Sequence, residues 1–542
     1  MADLNPSAQT LERRRENWGT KLGVILAVSG SAVGLGNFLR FPGLAATHGG
    51  GMFMIPYFIS LLLLGIPLVW AEWAMGRYGG ARGYNSAPGI YSVIWPRPWS
   101  RYFGALALMV PIVIYMYYVY IESWCLYYAW SYLRAFVTGN RGVSPGESVE
   151  QGAAFFSNYV QDTQNGLPGP AIAMLILVFL LNYVFIYRGV TRGIETFSRY
   201  AMPLLVLCAL VVLVRVLTLP NILDGLGFMW NPSLPEGQST WDYLKNAEVW
   251  LLAAGQIFFS ISVGFGIIIN YASYLRRNDD VVLSGMTACA TNEFCEVCLG
   301  GLITIPVAFI FLGGLPEGLL RSISEGSSLA VGFFALPPVF GLMPLGLLFG
   351  ALWFFMLSLA AITSSLSMLQ PTIAFLEEGM GLGRRAAVAL LGLLTAIGCL
   401  IAVYFSKNLA ALDTMDFWVG SVCIYVLATI QVLMFGWAFG IERARAEIAQ
   451  GAEMKVPAIF WPVIRYVTPV YLLVIFLFWA KQKFPERIRG IVELDAADRA
   501  GVLFPLIYIG LLILFFVIMI ALTRQRMDRL RVEEHAREEV VP

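Results

Sequence analysis

Long apolar runs recur from one end of this chain to the other, separated by short polar breaks. A helix that crosses a bilayer needs about 20 predominantly apolar residues. Twelve segments meet that requirement: 19–45, 51–78, 102–134, 170–187, 195–218, 248–275, 281–313, 343–378, 386–405, 411–439, 457–482 and 502–523. The pattern predicts an all-α membrane protein of twelve transmembrane helices. The polar stretch 1–18 leads into further spans rather than to a small-residue cleavage site, so no cleavable signal peptide is expected. Residues 524–542 are charged and read as a tail. The longest connections are 135–169, 219–247 and 314–342. The last of these is punctuated by Gly and Pro yet carries Phe333, Phe334, Leu336, Val339 and Phe340, which predicts a segment folded back onto the bundle.

Charge adds an orientation. An even number of spans puts both termini on one side. If that side is the cytoplasm, it holds 24 of the 36 Lys and Arg residues, the bias expected of cytoplasmic loops. Composition agrees with a membrane protein: 58% of residues are hydrophobic and 13% charged, where a soluble domain carries about a quarter charged residues. The net charge of +1, with no basic stripe interleaved with aromatics, gives no reason to expect a nucleic-acid partner. Seven cysteines all fall in or beside apolar segments, and Cys295 and Cys298 have no second pair or nearby His to complete a metal site. With His48 and His535 the only histidines, His-based metal or triad chemistry is not expected.

Two spans carry the same interruption. The first contains Ser31-Ala32-Val33-Gly34-Leu35-Gly36 and the sixth Ile261-Ser262-Val263-Gly264-Phe265-Gly266. Both read small-Val-Gly-apolar-Gly in mid-segment. They lie five spans apart, an odd number, so the copies run in opposite directions across the membrane. This is the pattern of an inverted repeat, spans 1–5 (19–218) against spans 6–10 (248–439), with two helices appended at 457–523. The competing reading is close packing, for which Gly-rich motifs are common in membrane helices.

Glycine lets a backbone leave helical geometry. In the bilayer core, unpaired backbone groups are tolerated only inside protein or beside a watery cavity. A break therefore presents carbonyl oxygens suited to a hard cation, and a half-helix N-terminus suited to a carboxylate. A zwitterionic amino acid bound beside sodium matches both. Asn37, Ser260, Ser262, Asn292 and the run Thr363-Ser364-Ser365 are polar residues within spans that converge on this reading; the alternative for each is a bond to its own backbone. Acidic residues inside spans are costly and are either functional or paired, which singles out Glu72, Glu122, Glu293, Glu296 and Asp416.

The residues from Gly30 to Pro42 resemble the signature of the neurotransmitter:sodium symporter family, bacterial (leucine-transporter) branch. So do Gly49-Gly50-Gly51-Met52-Phe53, Glu72-Trp73-Ala74-Met75-Gly76-Arg77, Tyr117-Tyr118-Val119-Tyr120, Gln256-Ile257-Phe258-Phe259-Ser260, Thr363-Ser364-Ser365 and Met415-Asp416-Phe417-Trp418. The resemblance runs from about Glu12 to the end of the twelfth span. It implies sodium-coupled symport of a neutral, apolar L-amino acid into the cell by alternating access, in a bacterial inner membrane, by a monomer or homodimer that is not an enzyme.

The resemblance further implies two sodium sites. The first would use Ala32, Asn37, Ser260, Asn292 and the substrate carboxylate; the second would use Gly30, Val33, Ala360, Thr363 and Ser364. The substrate pocket would comprise Ala32, Gly36, Ile114, Tyr118, Phe259, Ser260, Ser262, Phe265, Ser364 and Met368. An outer gate of Arg40 and Asp416 would lie above Tyr118 and Phe259. An inner gate of Arg15 and Glu378 would be supported by Trp18, Tyr274 and Gln370. Glu296 stands where chloride-dependent animal members have Ser, and its carboxylate would supply the negative charge of a chloride, so no chloride requirement is expected. Three other readings compete with this one. A proton-coupled relative would place a basic residue at the second sodium position, where this chain has Thr363 and Ser364. A non-transporting sensor is separable only by flux. A membrane enzyme finds no nucleophile or His–acid motif here.

Overall fold

A computed structural model of the chain describes residues 18–146, 148–161, 169–232, 234, 239–311, 332–333 and 336–538. Among them, ten uninterrupted helices are long and apolar enough to cross a bilayer. An eleventh span is the bent pair Leu22–Ala32 and Gly36–Thr47, whose halves meet at 47°. The predicted span 248–275 is broken outright, into Ala247–Ser260 and Ile267–Ala272. Both interruptions fall at the two echoed motifs. No strand occurs among the described residues, and the protein is an all-α membrane protein.

Most predicted limits hold to within a few residues, as with Gly50–Gly80, Gly169–Tyr187 and Arg384–Tyr404. The tenth span is followed, after Gly440 at φ 87°, by the separate helix Ile441–Ala449, and Phe460–Glu493 continues well past the predicted limit at 482 through Lys, Glu and Arg. Hydropathy marks where a helix leaves lipid, whereas Lys, Arg and Glu are good helix formers and carry the hydrogen-bond ladder onward into water.

Burial sorts the spans into core and periphery. The apolar window of Ser100–Thr138 is 94% buried, against 22% in Gly169–Tyr187 and 28% in Asp498–Arg529. The third span therefore lies at the centre, packed along Gly346–Glu378 and facing the first broken span, while the fourth and twelfth face lipid. The predicted fold-back of 314–342 falls partly outside the described residues. Where it is described, Phe333 packs on Trp124, Tyr128 and Phe354, and Phe340 packs on Tyr132 and Trp353.

Candidate functional site

The first half-helix ends at Ala32, so the carbonyls of its last turn have no partner one turn on. Ser29 O still accepts from Val33 N at 2.7 Å. The carbonyls of Gly30, Ser31 and Val33 face the Ser364 hydroxyl, which lies 3.3, 3.2 and 3.5 Å from them, and Ser31 O has a second donor in Ser262 Oγ. One hydroxyl has a single proton to give. Three carbonyl oxygens sharing it, at the negative end of a helix, form a pocket of unspent acceptor capacity. Thr363 Oγ1 lies alongside, bonded back to the carbonyls of Leu359 (3.1 Å) and Ala360 (3.0 Å). Thr363 also packs on Gly30, where an added Cβ would meet its Cβ at 3.3 Å. Gly30, Val33, Ala360, Thr363 and Ser364 are thus brought together between the first and eighth spans.

A second polar cluster lies on the other side of the break. Asn37 Oδ1 accepts from Gly34 N (2.8 Å), pinning the turn, and Asn37 Nδ2 reaches Asn292 Oδ1 (2.8 Å), Glu296 Oε2 (3.0 Å) and Ser260 Oγ (3.3 Å). The Asn292 amide is 2.6 Å from Ser260 Oγ, and turned over about its last bond its nitrogen would reach the Ala32 carbonyl at 3.3 Å. Ala32, Asn37, Ser260 and Asn292 therefore come from three spans to one place. Glu296 forms the floor: Ser260 Oγ donates to it in a short contact, and Gln256 Nε2 donates at 2.8 Å. Its carboxylate is fully buried and, among the described residues, has no Lys or Arg partner. Neutral amide and hydroxyl donors alone face its charge. The oxygens of both clusters are carbonyls, amides and hydroxyls with a single carboxylate, and no group of three or more His, Cys, Asp or Glu side chains suited to a metal ion occurs among the described residues.

Between the clusters, Leu35 N donates to Tyr118 OH at 3.1 Å, and the two breaks are joined by Ser262 Oγ, which donates to Ser31 O at 3.1 Å. Gly34 leaves room for both hydroxyls, since a Cβ would sit 2.7 Å from Ser364 Oγ and 2.9 Å from Tyr118 OH. Gly36 faces the Phe259 ring at 3.1 Å by the same measure, and Phe259 meets Phe265 edge to face at 5.7 Å. Ile114 lies one turn before Tyr118 and Met368 one turn after Ser364, both buried, so each shares the face of its polar neighbour. The sixth-span break is stabilised from outside the cluster: Glu72 Oε1 accepts from Gly264 N at 2.8 Å. Glu72 thus occupies the paired role open to an intramembrane acid.

At the expected outer gate, Arg40 lies over the Phe259 ring at 4.8 Å, and Asp416 accepts from Tyr117 OH at 2.8 Å. Arg40 and Asp416 do not form a direct ion pair, and both are half-exposed. The described residues of the expected inner gate are buried or hydrogen-bonded. Trp18 is buried, donates to Tyr271 O at 3.0 Å and packs edge-on against that ring. Gln370 donates to Tyr274 OH at 3.0 Å. Glu378 accepts from Asn85 N (2.7 Å), Ser86 N (2.9 Å) and Ser86 Oγ (3.0 Å). Arg15, its expected partner, lies outside the described residues.

Several contributors were not singled out from sequence. Gln256 grips Glu296. Gly300 lets the seventh span touch the first, since a Cβ there would meet Asn37 O at 2.1 Å. Tyr57 donates to Glu293 beside the cluster at 2.8 Å. Of the residues left open between function and backbone bonding, Ser365 donates to Asn182 Oδ1 (2.7 Å), and Asn182 in turn donates to Glu122 (3.0 Å). Ser367 back-bonds to Thr363 O while accepting from Tyr271 OH.

The chain is similar to known proteins along most of its length. The profile of the sodium:neurotransmitter symporter family matches residues 15–141 and 136–524. An uncharacterised sodium-dependent transporter of Methanocaldococcus jannaschii is 30% identical over 85% of this chain and 90% of its own length. The sodium-dependent serotonin transporter of Drosophila melanogaster is 28% identical over 86% of this chain and 76% of its own. The crystal structure of MhsT in complex with L-phenylalanine superposes with a TM-score of 0.72 at 28% identity, covering 85% of this chain and 99% of that one.

Proposed function

The chain belongs to the sodium:neurotransmitter symporter family, whose members are sodium-coupled secondary transporters and not enzymes, and from that membership we propose that it carries a neutral, apolar L-amino acid into the cell with two sodium ions. One observation carries the reading: the single Ser364 hydroxyl faces three carbonyls of the broken first span, an acceptor-rich pocket suited to a hard cation. The first sodium would take Ala32, Asn37, Ser260 and Asn292 together with the substrate carboxylate. The second would take Gly30, Val33, Ala360, Thr363 and Ser364. Sharing the carboxylate with the first ion is the physical coupling, because neither solute completes its own shell without the other.

The amino-acid assignment is supported by the L-phenylalanine bound in the crystal structure of MhsT. Ala32, Gly36, Tyr118, Ser260, Ser262 and Ser364 would hold the main-chain groups, and Ile114, Phe259, Phe265 and Met368 would enclose an apolar side chain. Arg40 and Asp416 would close above Phe259 and Tyr118, while Trp18, Tyr274, Gln370 and Glu378, with Arg15, would part on the inner side. We infer a bacterial inner-membrane location with both termini in the cytoplasm, from the Lys and Arg bias, and a monomer or homodimer.

The test is uptake of a panel of labelled amino acids into proteoliposomes with and without an inward sodium gradient. With no membrane potential imposed, accumulation of apolar amino acids is expected only with the gradient; equal uptake with potassium on both sides overturns the symport. Asn37→Ala is expected to abolish sodium-dependent binding, and retained binding would remove Asn37 from the first site.

A further inference from the structure

Away from the transport site, a cavity of about 170 Å³ opens where three segments meet on the proposed cytoplasmic face. Arg82, just past the end of the second span, lines it with Arg277, from the connection between spans 6 and 7, and Arg443, from the short helix Ile441–Ala449 after the tenth. Among the described residues none of the three has a carboxylate within ion-pair distance. Glu447 also lines the cavity, but its charge is already taken by the fully buried Arg77, whose Nε donates to Glu447 Oε1 at 2.8 Å and whose other nitrogens donate to the carbonyls of Asp279, Gln450 and Glu447. The Arg77 clasp therefore fixes the three segments against one another and leaves the cavity with three uncompensated positive charges. Arg82 is held in place: its guanidinium stacks on the Tyr78 ring at 3.4 Å and donates to Tyr78 O at 3.0 Å.

A general excess of basic residues on this face explains arginines scattered through loops. It does not explain three, from three separate segments, around one cavity. A phosphate group has the matching chemistry, since guanidinium forks bind its oxygens in pairs. Its four oxygens, at ~30 Å³ per water-sized group, fit the space.

The surroundings favour a lipid as the carrier of that phosphate. Tyr78 packs on Phe439 with ring centres 4.7 Å apart, and the neighbouring Trp437 and Ala438 line an apolar groove with Trp95, Trp99 and Phe103. Trp99 is 45% and Trp437 54% exposed. Exposed tryptophans on membrane proteins mark headgroup depth. The segment 437–443 thus has an apolar groove at one end and the arginine cavity at the other, the two halves of an anionic phospholipid site.

We propose that the Arg82–Arg277–Arg443 cavity binds the phosphate of an anionic phospholipid of the inner leaflet, with the Trp95–Trp99–Trp437 groove taking part of its acyl chain. The site bridges the connection that follows the broken sixth span, so an occupied site would hold that connection in its present position.

Native mass spectrometry of the full chain in detergent, exposed to equimolar phosphatidylglycerol and phosphatidylcholine, tests this. Wild type is expected to retain phosphatidylglycerol selectively, with retention falling about fivefold for each arginine removed in Arg277→Gln, Arg443→Gln and the pair, as expected for one cation at the headgroup surface. The melting temperature and sodium-driven uptake in zwitterionic lipid serve as the folding control; if the pair does not fold, the exposed single change Arg443→Gln carries the same readout. Equal retention by wild type and variants overturns the site. If millimolar inorganic phosphate displaces the lipid and itself stabilises wild type but not Arg443→Gln, the cavity serves a soluble anion and the lipid assignment falls.

Discussion

At the scale of single residues, the site depends on atoms that could not be enlarged or removed. Gly34 shows the first kind. A methyl there would press on Ser364 Oγ at 2.7 Å and Tyr118 OH at 2.9 Å, both in the heart of the proposed site. Both contacts are to hydroxyl oxygens of the proposed site, so a methyl there must displace Ser364, Tyr118 or the break itself. Gly34→Ala is expected to abolish amino-acid and sodium binding while leaving a folded protein, read as loss of saturable labelled-substrate binding at an unchanged elution volume; near-native affinity would show that the break tolerates a side chain. Glu296 shows the second kind. Its carboxylate gathers donors from Asn37, Gln256, Ser260 and Asn292 without any cationic partner. Held as a carboxylate, Glu296 would supply a negative charge at the centre of that donor cage. Wild-type uptake is expected to be unchanged when chloride is replaced by gluconate. Glu296→Ser is expected to lose activity in gluconate and regain part of it in chloride, an anion able to enter the same cage. A strict chloride requirement in wild type would remove the proposed role from Glu296.

At the scale of elements, the two broken helices are held open by different means. The first ends in three carbonyls that share the Ser364 hydroxyl and is pinned by Asn37. The sixth runs through positive φ at Ser262 (57°), Gly264 (74°) and Gly266 (83°), and Glu72 satisfies one of its free N–H groups. Gly266 is the most constrained of these, for a Cβ would lie 2.5 Å from Ala107 O on the third span. Left-handed backbone strain plus overpacking makes Gly266→Ala cost roughly 2–5 kcal/mol. The expected result is a clearly lowered melting temperature in detergent, whereas Gly266→Ala with wild-type stability would mean the turn relaxes to another geometry. These breaks explain what was legible in the sequence. The echo Ala32–Gly36 and Ser262–Gly266 is local and periodic, so both interruptions could be found by reading along the chain. Contacts made across the bundle leave no such trace: Gln256 on Glu296, Gly300 against Asn37, and Glu72 on Gly264 are each set by how spans meet in three dimensions. Glu72 could be flagged as an acid in a costly place, but not matched to its partner. Arg40 and Asp416 illustrate the converse, because the resemblance names them as a gate while the structure has each bonded elsewhere, to Phe259 and Tyr117. The polar ends of Phe460–Glu493 were illegible for another reason: hydropathy reports contact with lipid, not helicity.

At the scale of the whole molecule, the two proposed cation pockets would flank one break and act on one substrate, which makes the number of charges moved per cycle a direct test of the pairing. A zwitterion contributes no net charge, so each sodium ion is one charge carried through the membrane potential. One charge gains about 2.3 kcal/mol per 100 mV. With two ions the gain is about 4.6 kcal/mol, roughly three powers of ten in accumulated solute from voltage alone; with one ion it is about fiftyfold. The difference between these is far larger than the scatter of a flux measurement. In proteoliposomes with equal sodium on both sides, a potassium diffusion potential of 100 mV, inside negative, is therefore expected to raise the accumulation ratio toward a thousandfold before leakage limits it. Thr363→Ala, which removes a hydroxyl from the second pocket without touching Asn37 or Asn292, is expected to lower the voltage dependence toward that of a single charge if the first site still operates. A wild-type accumulation ratio that stops near fiftyfold in tight vesicles would leave only one of the two pockets carrying an ion through the cycle, and unchanged voltage dependence in Thr363→Ala would identify the first.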